Sequence, residues 1–295
     1  LKLRLIYNPA GGRGRTRRHV AEAVRELQAL GASVDVHASA NAADLTRAAA
    51  DGSRGGYDRV VVCGGDGSVH YAVRDFDLGR GTLALIPLGS GDDFARVTGV
   101  PRTLRAACAN VVHGTVRPFD VALANGIRYM GVAGLGFDSD VNRFANQNVR
   151  LLRGSAVYVY AILRILPRFT PRPVRIRMND CTRDEQIMFA TVGNTRQYGG
   201  GIRIVPAADP ADGILDYCIV HRTSRFQLVV TLPLAYSGAH VRKPFVETGR
   251  GNSFLFESDR PLDVYADGEF VTQTPVSFEL EKQKLRLVVP PAVTR

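Results

Sequence analysis

The chain has 295 residues, 45% hydrophobic and 22% charged, the proportions of an ordinary globular protein with length enough for two domains. Its net charge of +10 rests on 38 basic against 28 acidic residues, and the basic ones are nearly all arginine, which suits phosphate-bearing partners. The four cysteines are far apart, which excludes a disulfide framework and a CxxC zinc site, and zinc-finger or RNP-like spacing for nucleic acid is absent. The longest apolar runs, 155–163 and 228–235, fall well short of the ~20 residues of a membrane span. Lys2 and Arg4 precede only a strand-length apolar run, not a signal peptide, so the expected location is cytoplasmic.

In chain order, residues 3–7 alternate as a strand and run into the loop Asn8-Pro9-Ala10-Gly11-Gly12-Arg13-Gly14. Thr16 can cap a helix whose stripe is Val20, Val24, Leu27 and Leu30, ended by Gly31. A strand at 33–37, a helix at 43–50, a strand at 59–63, a helix at 69–76, a strand at 82–86 and a helix around 104–111 follow. This alternation predicts a doubly wound, mainly parallel sheet. From about residue 121 short strands dominate, at 127–132, 174–178, 186–192, 214–220, 253–257, 262–265, 276–280 and 284–289. Two helical interruptions, near 151–166 and 224–239, lie among them. The reading is therefore an α/β nucleotide-binding domain over 1–123 and a β-sandwich substrate domain over 124–295.

The most informative stretch is Val60-Val61-Val62-Cys63-Gly64-Gly65-Asp66-Gly67-Ser68, a buried strand ending in glycines around one carboxylate. Such turns at the carboxyl ends of parallel strands are where ligands bind, and glycines let backbone N–H groups approach phosphate. A carboxylate there fits a bridging divalent cation or a hydroxyl about to lose its proton. The competing reading is a glycine turn with Asp66 as a helix cap. Loops 8–15 and 87–93 join loop 64–68 on the same sheet edge, and none of them matches GxxxxGK[ST] or GxGxxG.

Gly64-Gly65-Asp66-Gly67-Ser68, then Pro87-Leu88-Gly89-Ser90-Gly91-Asp92-Asp93-Phe94-Ala95-Arg96, resembles the catalytic domain of the diacylglycerol kinase family, whose usual motifs are GGDGT and PLGTGNDFAR. Asn8-Pro9, Gly199-Gly200-Gly201, Asp212-Gly213-Ile214-Leu215-Asp216 and Asp267-Gly268-Glu269 continue the match from residue 8 to 269. The resemblance implies an N-terminal domain like that of NAD kinase and phosphofructokinase, a C-terminal β-sandwich, and an active site in the cleft between them. It implies ATP and Mg²⁺ as cofactors and transfer of a phosphoryl group to the hydroxyl of a diacylglycerol-like lipid, giving phosphatidic acid. On it, Asp66 acts through water and Mg²⁺, Glu269 is the general base, and Asp267 and Asp120 join the acidic network. Asn8, Gly11, Gly12, Gly64, Gly65, Gly67, Ser68, Gly89, Ser90, Gly91, Asp92 and Arg96 border the nucleotide. Asp212, with the backbone at Asp209 and Ile214, matches a second, structural metal site; an ordinary Asp-Gly turn is the alternative.

Serines at 68 and 90 keep the family's hydroxyls, whereas Asp92 stands where asparagine is usual. A carboxylate ~4 Å from a phosphate oxygen costs about 4 kcal/mol at an effective dielectric of 20 and about 1 in water, so Asp92 needs a partner or weakens ATP binding. Residues 149–169, leucine-rich with interspersed arginine, suit either a helix at an anionic membrane surface or a core helix. The expected partner is a lipid presented at a membrane that the protein meets peripherally; nucleic acid is not expected, and a homodimer is compatible with the sequence. The alternatives are an NAD kinase-like enzyme and a non-catalytic lipid- or nucleotide-binding relative.

Overall fold

The computed structural model describes residues 1–11, 15–148, 155–178 and 181–291. Its chain divides into two units, Leu1–Asp120 with the residues from Lys282 onward, and Val121–Glu281. The first begins β1 (Lys2–Tyr7), α1 (Arg15–Ala29), β2 (Ser33–Ala38), α2 (Ala42–Arg54), β3 (Arg59–Gly64), α3 (Asp66–Val73), β4 (Leu83–Pro87), α4 (Asp93–Thr98), α5 (Leu104–His113) and β5 (Thr115–Phe119). Strands β2, β1, β3 and β4 lie side by side in that order, all parallel. The run Val60–Cys63 is buried throughout, as a parallel strand covered on both faces must be. Val20, Ala23 and Leu27 of α1 and Ala107, Cys108 and Val111 of α5 pack on one face, against Leu3, Leu5, Val61 and Ile86. Helices α2 and α3 pack on each other and on β1 and β3.

The second unit comprises β6 (Ala122–Ala124), β7 (Ile127–Tyr129), β8 (Val132–Gly136), α6 (Phe137–Asn148), α7 (Ser155–Ile165), β9 (Arg172–Met178), β10 (Cys181–Gly193), β11 (Leu215–His221), α8 (Arg225–Ser237), β12 (Val246–Gly251), β13 (Ser253–Glu257), β14 (Asp263–Ala266), β15 (Glu269–Gln273) and β16 (Val276–Leu280). The long β10 ties two layers together: its first half pairs with β9, its second half with β8 and β11. Tyr129, Leu135, Ile176, Ile219, Phe254 and Phe278 belong to one core cluster of the unit. A second core joins α6, α7 and α8 to β10 and β11 through Phe137, Ala161, Met188, Val220 and Ala235.

One more strand, β17 (Leu285–Val289), belongs to the first unit's sheet, parallel to β4 and antiparallel to β5. The chain thus passes between units twice. The division expected at 123/124 falls at 120/121, and the last strand is in the α/β unit, not in the sandwich. Three local expectations also change. Helix α3 starts at Asp66, not residue 69, so the aspartate is part of its first turn. The strand expected at 127–132 is two, broken where the Met130 and Gly131 N–H groups turn to the Asp267 carboxylate. Helix α6, with Phe137, Val141, Phe144 and Ala145 at helical spacing, was not foreseen. Of the arginine-leucine segment 149–169, residues 149–154 lie outside the described residues.

Candidate active site

In the first unit the loops after β3 and β4 meet backbone to backbone. A methyl group on Gly89 would lie 2.7 Å from the Gly65 Cα, and one on Gly65 3.0 Å from the Gly89 Cα, so neither position admits a side chain without parting the loops. Asp66 spans the junction. Its two carboxylate oxygens accept the backbone N–H groups of Asp93 and Phe94, both at 3.1 Å, in the first turn of α4. The Asp66 carboxyl is pushed up to about 6, chiefly by burial and in smaller part by the charges of Asp93 and Asp92, against the downward pull of the two N–H bonds. A weakly acidic, crowded carboxylate is what a site prepared for a proton or a cation contains.

Asp92 is buried in a left-handed conformation (φ 51°), accepts the Gly89 N–H at 2.9 Å, and has Arg102 as an ion-pair partner at 3.8 Å. The partner that its charge required is thus present, and sequence spacing gave no sign of it. Arg96 reaches back to the Gly91 carbonyl at 2.9 Å and holds the loop from its far end. Gly67 and Ser68 lie in the opening turn of α3, where Ser68 Oγ crowds Gly64; Gly89 and Ser90 are exposed. Asn8 folds the first loop as an Asx turn, its side chain accepting the Ala10 N–H and its carbonyl the Gly11 N–H; Gly12 lies outside the described residues. Asp120, buried at the end of β5, is ion-paired with Lys284 at 2.7 Å, a partner supplied by the returning C-terminal segment.

In the second unit, Asp267 and Gly268 both have positive φ (54° and 86°) and connect β14 to β15 as a two-residue hairpin. That geometry is a type I′ turn, for which Asp-Gly is a favoured pair. Asp267 uses its carboxylate on the N–H groups of Met130 (3.0 Å) and Gly131 (2.7 Å). It therefore braces the hairpin, while Glu269, partly exposed, opens β15 opposite Ala266. Near the other acidic motif, Asp209 accepts the Ala211 N–H and Asp212 the Ile214 N–H. The Arg250 guanidinium lies among Asp212 (3.2 Å), Asp216 (3.3 Å) and the Ala207 carbonyl (3.0 Å).

The two metal assignments fare differently as donor sets. Asp66 fits Mg²⁺ held largely through water, since Mg²⁺ keeps most of its waters and needs one or two carboxylates, and a dication would offset the like-charge crowding around Asp66. The Asp209–Ile214 turn is a poorer fit: the Arg250 guanidinium occupies the carboxylate side, 3.2 Å from Asp212 and 3.3 Å from Asp216, and a cation there would have to displace it. Among the described residues no three His, Cys, Asp or Glu side chains form a ligand group.

Glycine loops at the carboxyl edge of a doubly wound sheet, with a helix-anchored aspartate, define a phosphate-handling α/β unit, here joined to a β-sandwich. Residues 2–124 match the diacylglycerol kinase catalytic domain, and residues 131–289 match the YegS C-terminal NAD kinase beta sandwich-like domain. The diacylglycerol kinase of Mycobacterium tuberculosis strain H37Rv is 34% identical over 98% of this chain and 95% of its own length, and that of Bacillus subtilis strain 168 is 26% identical over 98% and 96%. A solved structure of a candidate diacylglycerol kinase from Bacillus anthracis strain Sterne superposes with a TM-score of 0.82 at 26% identity, covering 99% of this chain and 98% of that one. The chain belongs to the diacylglycerol kinase family and is a lipid kinase.

Proposed function

We propose that the protein transfers the γ-phosphoryl group of ATP to the hydroxyl of a diacylglycerol-like lipid, with Mg²⁺, at a membrane surface it meets peripherally. The observation that carries this reading is Asp66, tied by two backbone N–H groups to the place where the glycine loops touch. Those loops offer N–H groups to phosphate, and Arg96 and Arg102 supply fixed positive charge nearby. Mg²⁺, when bound, supplies neutralisation of the charge on the phosphoryl group, and Asp66 is the residue that would hold it. Glu269 accepts the proton of the lipid hydroxyl, and Asp267 positions it by fixing the hairpin from which it projects.

A radiolabelled ATP assay against diacylglycerol, phosphatidylglycerol, a sphingoid base, ceramide and NAD, with and without Mg²⁺, tests the proposal. Label should enter diacylglycerol only when Mg²⁺ is present; label in NAD alone would overturn the lipid assignment. Losing a general base typically costs 10²–10⁴ in rate. Glu269→Ala and Asp66→Ala should each lose about that much with the fold intact, and full turnover in either would remove the role given to that residue.

A further inference from the structure

Strand β8 lies between β14 and β10 and runs antiparallel to both. Its first pairs are Val132 with Gly193 of β10 and Ala133 with Ala266 of β14. The two residues before it, Met130 and Gly131, belong to no strand, so their four backbone polar groups cannot be met by a sheet ladder. Each finds a partner all the same, and the partners are the residues one step past the neighbouring strands. From the β14 side, the Asp267 carboxylate accepts the N–H groups of Met130 (3.0 Å) and Gly131 (2.7 Å). From the β10 side, the Gly131 carbonyl accepts the backbone N–H groups of Asn194 (2.8 Å) and Thr195 (3.1 Å). The Met130 carbonyl accepts the side-chain Nδ2 of Asn194 at 3.0 Å. A carbonyl only accepts, so this bond also sets which way the Asn194 amide points.

Asn194 and Thr195 are each 1% exposed, so neither meets a substrate, and what Asn194 does it does through the peptide it holds. That peptide holds Asp267, which also donates its own N–H to the Val132 carbonyl at 3.1 Å. Two residues on, Glu269 opens β15. Gly131 fits the same scheme. Its φ is not left-handed, yet a methyl group there would lie 2.7 Å from Asp267 Oδ1, so the carboxylate and not the backbone demands the glycine. A buried, fully satisfied polar network of this kind fixes one arrangement of the segments it joins.

We infer that Asn194 is a positioning residue for Glu269: by clasping the Met130–Gly131 peptide against Asp267, it holds the β14–β15 hairpin at the setting in which Glu269 takes the proton of the lipid hydroxyl. The inference rests on the general-base role proposed for Glu269, and its tests separate the two. Asn194→Ala removes the Nδ2 donor and leaves the backbone bonds in place. In steady-state kinetics on diacylglycerol micelles its kcat should fall about 10- to 100-fold, the order that a misplacement of about 1 Å costs, with the KM for ATP within about twofold. Gly131→Ala displaces the Asp267 carboxylate directly; it should show the same split, and it carries the test if Asn194→Ala does not fold. In a Glu269→Ala background, Asn194→Ala should cost less than about twofold, because nothing is left to position. Hydrogen exchange needs no turnover, and it should quicken about tenfold in peptides covering 262–270 while staying unchanged over β3 and α3.

An equal loss of kcat with and without Glu269 would make Asn194 a prop for the fold at large and overturn the inference. So would an undiminished kcat, or a loss carried by the KM for ATP. Unchanged exchange at the hairpin overturns the clasp itself. Full turnover by Glu269→Ala alone would sink the base reading and the catalytic half of this inference with it, whereas faster hairpin exchange in Asn194→Ala would leave the clasp standing.

Discussion

Asp66 makes the first unit less stable at neutral pH than it would be without a charge there, and the size of that effect follows from its surroundings. Its pKa rises from an ordinary 3.8 to about 6, chiefly through burial. Between these values the native state holds a proton that the unfolded chain has released, so stability falls as pH rises through this window and is level above it. A shift of about two units corresponds to about 3 kcal/mol. Asp66→Asn removes the titration, at the expense of one of the two N–H bonds to α4, a roughly pH-independent loss of about 1–3 kcal/mol. The difference in stability between wild type and variant should therefore change by about 2.5 kcal/mol from pH 4 to pH 7, in the variant's favour. Because two units can unfold separately, hydrogen exchange of peptides covering β3 and α3 is the suitable measure. Parallel stability profiles, within about 0.5 kcal/mol, would refute the claim that this carboxylate is held against its solvation.

Asp92→Asn keeps the left-handed backbone, which asparagine tolerates, and the acceptor for the Gly89 N–H, while removing a charge beside the phosphate loops. Arg102, 3.8 Å away, then has no carboxylate to balance, so the loops gain one unit of positive charge and the KM for ATP should fall, with kcat changing less; steady-state kinetics giving an unchanged or higher KM would reject the idea. Arg250→Met should cost about 2 kcal/mol, since it strips Asp212 and the nearly buried Asp216 of their shared cation. Wild-type melting should be indifferent to EDTA, whereas the variant should gain stability from millimolar Mg²⁺. A wild-type melt lowered by EDTA would mean that the turn carries a metal after all.

The architecture was legible because its signals are local. A run such as Val60–Cys63 is buried on both faces wherever it sits, and a glycine-flanked aspartate at its end cannot be regular strand. Positions with strict backbone demands were legible for the same reason: Gly65 and Gly89 leave no space for a Cβ, and Asp267-Gly268 makes the turn its sequence favours. Partners distant along the chain were not. Arg102 for Asp92, Lys284 for Asp120 and Arg250 for Asp212 come from segments whose own patterns say nothing about charge pairing.

Two elements show how far periodicity reaches. In β17, Leu285, Leu287, Val288 and Val289 are buried and only Arg286 is exposed, a run that reports a strand and not which sheet buries it. Only the pairing with β4 and β5 assigns it to the first unit. The segment that became α8 poses the opposite problem. Its apolar residues fall on every side, so periodicity gives no direction, and a core helix and a surface helix read alike. Its exposed stripe, from Phe226 to Tyr236, separates the two cases, because a core helix would bury those side chains as well.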